Sequence, residues 1–168
     1  MTHPKKPETF DPNSVRKVMN VNAPPEVAWQ VFTAKMGSWW PLAMYKIGVA
    51  KAIDVVIEPK VGGRWYELGE DGSTCDWGHV RLWEPQVRLI LTWDIDADWQ
   101  YDPALNTEIE VRFIPDGKNA TRIELEHSHF DRYGPRRDEM RAIFDSQGNW
   151  GKVLAMFASV AEAEGKPR

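Results

Sequence analysis

The sequence predicts an α+β domain in which a curved antiparallel sheet wraps around a long C-terminal helix. Three observations carry that prediction. Between residues 52 and 127 apolar side chains recur at every second position, with polar ones between them and turn residues separating the runs. This is the pattern of antiparallel strands with one wet face. No helical stretch separates these runs, so a parallel doubly wound sheet has no room for its crossover helices. After residue 149 the period becomes helical, and Trp150, Val153, Leu154, Phe157 and Val160 form one wide apolar stripe. The dry face of the sheet is the only large apolar surface available to cover it.

The elements follow in order. Residues 1–14 are rich in proline, lysine and polar groups without periodicity, and are expected to form a flexible tail ahead of one domain over 15–165. Val15–Val21 reads as the first strand. Pro24-Pro25-Glu26 ends it and opens a helix, since proline fits a first helical turn and a carboxylate suits the positive end of the dipole. Val27, Ala28, Val31 and Phe32 give that helix an apolar face. Gly37 ends it, and Trp39-Trp40-Pro41 continue as a second short helix or loop.

Six strands of a meander then follow. Ile53, Val55 and Ile57 alternate with polar neighbours, and Pro59–Gly63 turns the chain into a strand over Arg64–Leu68. Glu70–Ser73 is a hairpin turn before Cys75–Trp83, and Glu84-Pro85-Gln86 turns into Val87–Ile95. Val87, Leu89, Leu91, Trp93 and Ile95 share one face by parity. Asp96–Leu105 is a longer loop carrying Trp99 and Tyr101. Thr107–Phe113 and Thr121–His127 form the clearest hairpin, around Asp116-Gly117-Lys118-Asn119. A helical piece over Pro135–Phe144 is interrupted near Ser146-Gln147-Gly148, and a last helix spans Asn149–Ala163.

Composition narrows the function classes. The 168 residues are 42% hydrophobic and 27% charged, as in ordinary globular proteins. The net charge of −4 gives no general attraction to nucleic acid or anionic lipid, and Arg136, Arg137 and Arg141 are interleaved with Asp138 and Glu139. Cys75 stands alone, which disfavours disulfides and cysteine metal sites and suits a reducing compartment. No run approaches the roughly 20 apolar residues of a membrane helix, and no signal-peptide core opens the chain. The cytoplasm is the expected location. Nine tryptophans stand out, because an indole combines a large apolar area with one N–H that needs a partner.

Several segments resemble one family. They run Pro24-Pro25-Glu26-Val27 with Trp29 and Phe32, then Met36-Gly37 with Trp39-Trp40-Pro41, Glu58-Pro59 with Val61-Gly62-Gly63-Arg64-Trp65, Asp71-Gly72, and Trp77-Gly78 with Val80. Trp83-Glu84-Pro85, Leu89 with Leu91-Thr92-Trp93, Thr121-Arg122 with Glu124-Leu125 and His127, and Gly148 with Trp150-Gly151 and Val153-Leu154 complete the set. Their order and spacing resemble the SRPBCC (START/birch-pollen-allergen-like) superfamily, in its branch of homologues of the activator of the heat-shock-protein-90 ATPase. The resemblance implies a helix-grip fold with a cavity that holds small hydrophobic molecules in many relatives. It carries over no single activity.

The expected function is therefore binding or carriage of a small hydrophobic or aromatic ligand, without a cofactor. By parity and by the family pattern, Trp39, Trp40, Trp65, Trp77, Trp93, Val111, Phe113, Trp150, Leu154 and Phe157 are expected around the cavity. If Trp65, Trp77 and Trp83 point inward, then Glu67, His79 and Arg81 share their face as polar handles or acid/base groups. One register slip would instead put those three in water, with Val80 and Leu82 inside. An enzymatic alternative, a lyase, cyclase or hydrolase, rests on the same three residues. A third reading is a protein-interaction or co-chaperone-like module, in which exposed Trp99 and Tyr101 contact a partner or a second copy in a homodimer. His127 and His129 fall on one side of a strand, as in a metal site, although a hydrogen-bonded structural histidine explains His127 without metal. No nucleophile elbow or phosphate-binding glycine loop is present.

Overall fold

Seven strands form one sheet in a computed structural model that describes residues 10–166. They are β1 (Ser14–Val21), β2 (Ala52–Ile57), β3 (Arg64–Gly69), β4 (Thr74–Glu84), β5 (Arg88–Trp93), β6 (Thr107–Pro115) and β7 (Thr121–Ser128). Their spatial order is β1-β7-β6-β5-β4-β3-β2, and every neighbouring pair is antiparallel. β2 to β7 are the predicted meander. β1 and β2 sit at opposite edges although they are consecutive strands, because helix α1 (Pro25–Ala34) and a 3₁₀ turn at Met36–Ser38 cross between them. The sheet curls into a half-barrel, and the C-terminal helical segment lies in its grip. That segment is a 3₁₀ stretch (Phe130–Arg136), α2 (Arg137–Asp145), a wide turn (Gln147–Gly151) and α3 (Lys152–Gly165).

Local chemistry explains the elements. Pro25 opens α1 with Glu26 in its first turn, and the helix buries Ala28, Trp29, Val31 and Phe32. α3 buries Val153, Leu154, Phe157 and Ala161; the first three, with buried Trp150, belong to the predicted stripe, whose Val160 is only partly buried. Leu89, Leu91, Ile109, Val111, Phe113, Ile123 and Leu125 supply that face, all at most 2% exposed. The wet face of β6 and β7 carries ion pairs such as Arg112–Glu110 and Arg122–Glu124. Of the expected N-terminal tail, residues 1–9 lie outside the described residues. In the rest, Phe10 lies under the Arg141 guanidinium at 4.4 Å.

Parity fails at three places, each for a local reason. A register irregularity between Ala52 and Asp54 turns Ile53 outward, half exposed, while Val55 and Ile57 stay buried. Gln86 adopts a left-handed conformation in the turn before β5, so Val87 precedes the strand and is exposed. β4 slips twice, once beside Trp77-Gly78 and again between Val80 and Leu82. Each slip reverses which side chains face the core. Trp77, Val80 and Trp83 therefore all turn inward, Trp83 lying edge-on to Trp29 at 5.0 Å. His79 and Arg81 turn to the outer face. Gly78 makes the first slip possible, because a Cβ there would run into the Thr92 carbonyl oxygen.

Candidate functional site

The interior has two unlike ends. At one, Phe32, Trp39, Phe113 and Phe157 meet edge-on or tilted, with Phe32 5.1 Å from Trp39, 5.8 Å from Phe113 and 5.2 Å from Phe157. Trp39 donates its indole N–H to the Val31 carbonyl at 2.9 Å. This end is solid. At the other end a cavity of about 570 Å³ is walled by Trp40, Trp77, Trp93, Trp99, Phe144 and Trp150, with Ile47, Ile95, Ile143 and Val153 between them. It opens beside Met44 and Trp99, both exposed.

Of the residues expected around a ligand, Trp40, Trp77, Trp93 and Trp150 line this cavity. Trp39, Val111, Phe113, Leu154 and Phe157 do not; they belong to the solid core. Trp65 stands one layer behind, 5.4 Å from Trp77 and 5.6 Å from Trp93, and donates its N–H to the Met36 sulfur. His79 and Arg81 have side chains 43% and 40% exposed and lie outside the cavity. The polar trio is therefore split, and only Glu67 faces inward.

Glu67 is 2% exposed, and its Oε1 accepts three hydrogen bonds. They come from Trp77 Nε1 at 3.0 Å, from Ile47 N at 2.6 Å and from Gly48 N at 3.1 Å. The carboxylate thus fixes one indole of the wall and the loop that supplies Ile47, and it does not itself line the cavity. Other bonds close the same loop: Trp40 Nε1 donates to the Tyr45 carbonyl at 2.8 Å, and Lys46 Nζ caps the carbonyls of Gly48 and Ala50. The Tyr45 hydroxyl donates to the Gly148 carbonyl at 2.5 Å, tying the loop to the turn before α3.

His127 is wholly buried against Phe130, Phe144 and Trp93. Trp150 Nε1 donates to its Nδ1 at 3.2 Å, so the ring proton is on Nε2, 3.2 Å from Thr107 Oγ1; that hydroxyl donates on to the Trp93 carbonyl at 2.5 Å. Burial pushes the imidazole pKa down to about 3. The chain of bonds is saturated with neutral groups and holds Trp150 and the backbone of Trp93, both in the cavity wall. Both ring nitrogens of His127 thus have hydrogen-bond partners. β7 ends at Ser128, His129 is left-handed and its side chain 42% exposed, so the two imidazoles are not paired. Among the described residues no three His, Cys, Asp or Glu side chains form a metal cluster.

The segment Trp39–Tyr45 was expected to bound the cavity, and its Trp40, Met44 and Tyr45 line it; sequence reasoning missed four other parts of the wall: Lys46–Ile47, Trp99, the Ile143–Phe144 end of α2, and Gly148–Asn149. Trp99 is carried by a small hairpin within the expected long loop, where Ile95 bridges Tyr101. Asp96 Oδ1 accepts from the backbone N–H groups of Asp98 and Gln100, and Trp99 itself is left-handed at the tip, with φ 61°. The hairpin is rooted by Asp94, whose buried carboxylate accepts from Thr92 Oγ1 at 2.9 Å and Asn106 N at 2.8 Å. Burial pushes the Asp94 pKa up. Among the described residues Trp93 Nε1 is buried with no hydrogen-bond partner, and the Tyr133 hydroxyl donates to the Ile95 carbonyl. Most polar lining groups are already engaged, Ser146 Oγ donating to the Ile143 carbonyl. The Asn149 side-chain amide makes no intramolecular hydrogen bond among the described residues.

Sheet, gripped helix and aromatic cavity together define a helix-grip domain of the SRPBCC type. The chain belongs to the family described as activator of Hsp90 ATPase homolog 1-like protein, which matches residues 22–162. Among solved structures it is similar to an anthrahydroquino-γ-pyrone synthase, Txn09, at 35% identity, covering 90% of this chain and 99% of that one with a TM-score of 0.63. It is also similar to CalC, a self-sacrificing resistance protein from Micromonospora echinospora, at 29% identity, covering 93% and 98% of the two chains with a TM-score of 0.65. A protein from Arthrobacter aurescens shares the fold at 17% identity, covering 92% and 90% with a TM-score of 0.63. No curated protein matches the chain. No described helix is long and apolar enough to cross a membrane.

Proposed function

We propose that the protein binds a small, flat, largely apolar aromatic molecule in the cavity between β4, β5, α2 and α3. The observation that carries this reading is a 570 Å³ space walled by five tryptophans and Phe144, in the size range of small-molecule sites. Aromatic walls favour a ring that can stack or meet them edge-on. Among the described lining residues the unspent side-chain donors include Asn149 and the Trp99 indole N–H, so a strongly polar ligand would lose more hydration than the wall replaces. The synthase relative is named for a fused aromatic product, which agrees with such a guest.

Indole emission tests this directly. Titration with 2-naphthol, 1,8-dihydroxyanthraquinone and a C16 fatty acid is expected to quench or shift the fluorescence with the two aromatics, saturably, and not with the straight chain. Absence of a saturable response to any aromatic of this size would sink the proposal.

A second reading, chemistry on the bound ring, is favoured by the 35% identity to a synthase. His79 and Arg81 cannot serve it from the outer face, and Glu67 spends Oε1 on positioning. The ionisable side chains at the cavity are Tyr45 and Lys46. Incubation with a cyclisable aromatic polyketide, followed by mass spectrometry and by Tyr45→Phe, separates turnover from carriage.

A further inference from the structure

A second cleft, of about 480 Å³, lies against the outside of the cavity wall. It shares Ile47 and Trp99 with the cavity, so these two side chains form the septum between the spaces. Its chemistry is different. Besides Ile47 and Trp99 it is lined by Arg64, Thr74, Cys75, Asp76, Gln100 and Tyr101. Arg64 is paired to Asp76 at 2.6 and 2.9 Å and also donates to Thr74 Oγ1 at 3.1 Å. The two charges thus cancel within the cleft, and a charged group entering it would find one repelling partner beside each attracting one. Thr74, Gln100 and Tyr101 add hydroxyl and amide groups able both to donate and to accept. Trp99 and Tyr101, 45% and 41% exposed, offer apolar faces with polar rims.

We infer that cavity and cleft are two halves of one site, and that the ligand is an aromatic body carrying a neutral, hydroxyl-bearing appendage which passes Trp99 into the cleft. This rests on the cavity reading above and extends it to the substrate class. The aromatic half suits the cavity, whose wall is mainly indole and phenyl rings. The hydroxylated half suits the cleft, which offers hydroxyl and amide groups of both kinds and one charge of each sign. The backbone around Gln100 is fixed by Asp96, through Gln100 N to Asp96 Oδ1 at 3.0 Å and Asp96 N to Gln100 O at 2.8 Å. Among the described residues the Gln100 side-chain amide makes no hydrogen bond, which leaves it available to a guest.

Calorimetric titration of the whole protein with 2-naphthol, 2-naphthyl β-D-glucopyranoside and 2-naphthyl phosphate tests it. The glucoside is expected to bind about tenfold more tightly than the naphthol, and the phosphate no more tightly than the naphthol. Gln100→Ala combined with Tyr101→Phe removes two polar groups of the cleft without touching the turn's backbone bonds; it should erase the glucoside's advantage and leave naphthol affinity unchanged. Equal or weaker binding of the glucoside, with naphthol still bound, overturns the two-part site and spares the cavity reading. A double variant that weakens both ligands equally also overturns it. Binding of none of the three overturns both readings.

Discussion

The two ends of the interior are built from the same residue types and do opposite things. Around Phe32, Trp39, Phe113 and Phe157 the rings interlock at 5.1 to 5.8 Å, whereas Trp40, Trp77, Trp93 and Trp150 meet at 5.0 to 6.4 Å and yet enclose a 570 Å³ space. The difference lies in what holds each ring. At the solid end α1 and α3 press rings against rings, and the three phenylalanines are fixed by packing, with Trp39 alone held by a hydrogen bond, to the Val31 carbonyl. At the hollow end polar groups hold the indoles from behind: Glu67 holds Trp77, His127 holds Trp150, and the Tyr45 carbonyl holds Trp40. A wall tethered from behind can leave its front face empty. This predicts that substitutions at the solid end act on stability and those at the tethers act on binding.

The largest effect is expected at the solid end. Phe157→Ala, at a side chain with no exposed surface, should lower unfolding free energy by about 3–5 kcal/mol in urea titrations. The variant that remains folded should bind 2-naphthol with unchanged affinity. A comparable loss of affinity would mean that the two ends are coupled and the contrast false.

His127 gives a pH signature. Its folded pKa is about 3 and its ordinary value 6.5, so below pH 6.5 the unfolded chain binds a proton that the folded chain refuses. The stability contributed by the neutral ring is complete above pH 6.5. It is lost as pH falls toward 3, by up to about 1.4 kcal/mol per pH unit. Urea midpoints compared between wild type and His127→Gln from pH 7.5 to 5 should show the extra acid sensitivity in the wild type alone. Parallel pH curves would contradict this account of His127.

The Glu67 tether sharpens the contrast further. Glu67→Ala leaves Trp77 Nε1 and the N–H groups of Ile47 and Gly48 without their acceptor, and should weaken 2-naphthol binding about tenfold while speeding amide exchange at Ile47 and Gly48. Glu67→Gln retains an acceptor oxygen and should stay near wild type in both measurements. If Gln behaves as Ala does, the carboxylate acts through its charge, and the positioning role fails. The smallest stability effect is expected for Trp99→Ala, within about 0.5 kcal/mol for so exposed a side chain, together with a measurable loss of naphthol affinity.

The sequence makes the fold legible because its strands alternate cleanly where they pair cleanly. β6 and β7 run in register over eight pairs, and each parity assignment there holds, from Ile109 to His127. β4 defeats parity because two bulges reset it. The signal was present, since a lone glycine within a strand pattern marks a bulge or a close backbone approach, and Gly78 has the Thr92 carbonyl against it. With that bulge recognised, His79 and Arg81 fall outside and Glu67 stays within. The remaining wall was not legible for a different reason. Lys46–Ile47, Trp99 and Gly148–Asn149 sit in turns with no period to aim them, and the positions of two are set by distant partners, Glu67 for Ile47 and Tyr45 for Gly148. A cavity is a statement about where side chains are missing, and strand periodicity reports only where they point.

Fluorine NMR of protein labelled with 5-fluorotryptophan reads both ends at once, because the nine tryptophans divide into five that line the cavity and four, Trp29, Trp39, Trp65 and Trp83, that do not. With resonances assigned by single Trp→Phe substitutions, saturating 2-naphthol is expected to shift the signals of Trp40, Trp77, Trp93, Trp99 and Trp150 and to leave the other four in place. Shifts spread over Trp29, Trp39 and Trp83, or confined to Trp99 at the rim, would contradict a guest seated in the hollow end.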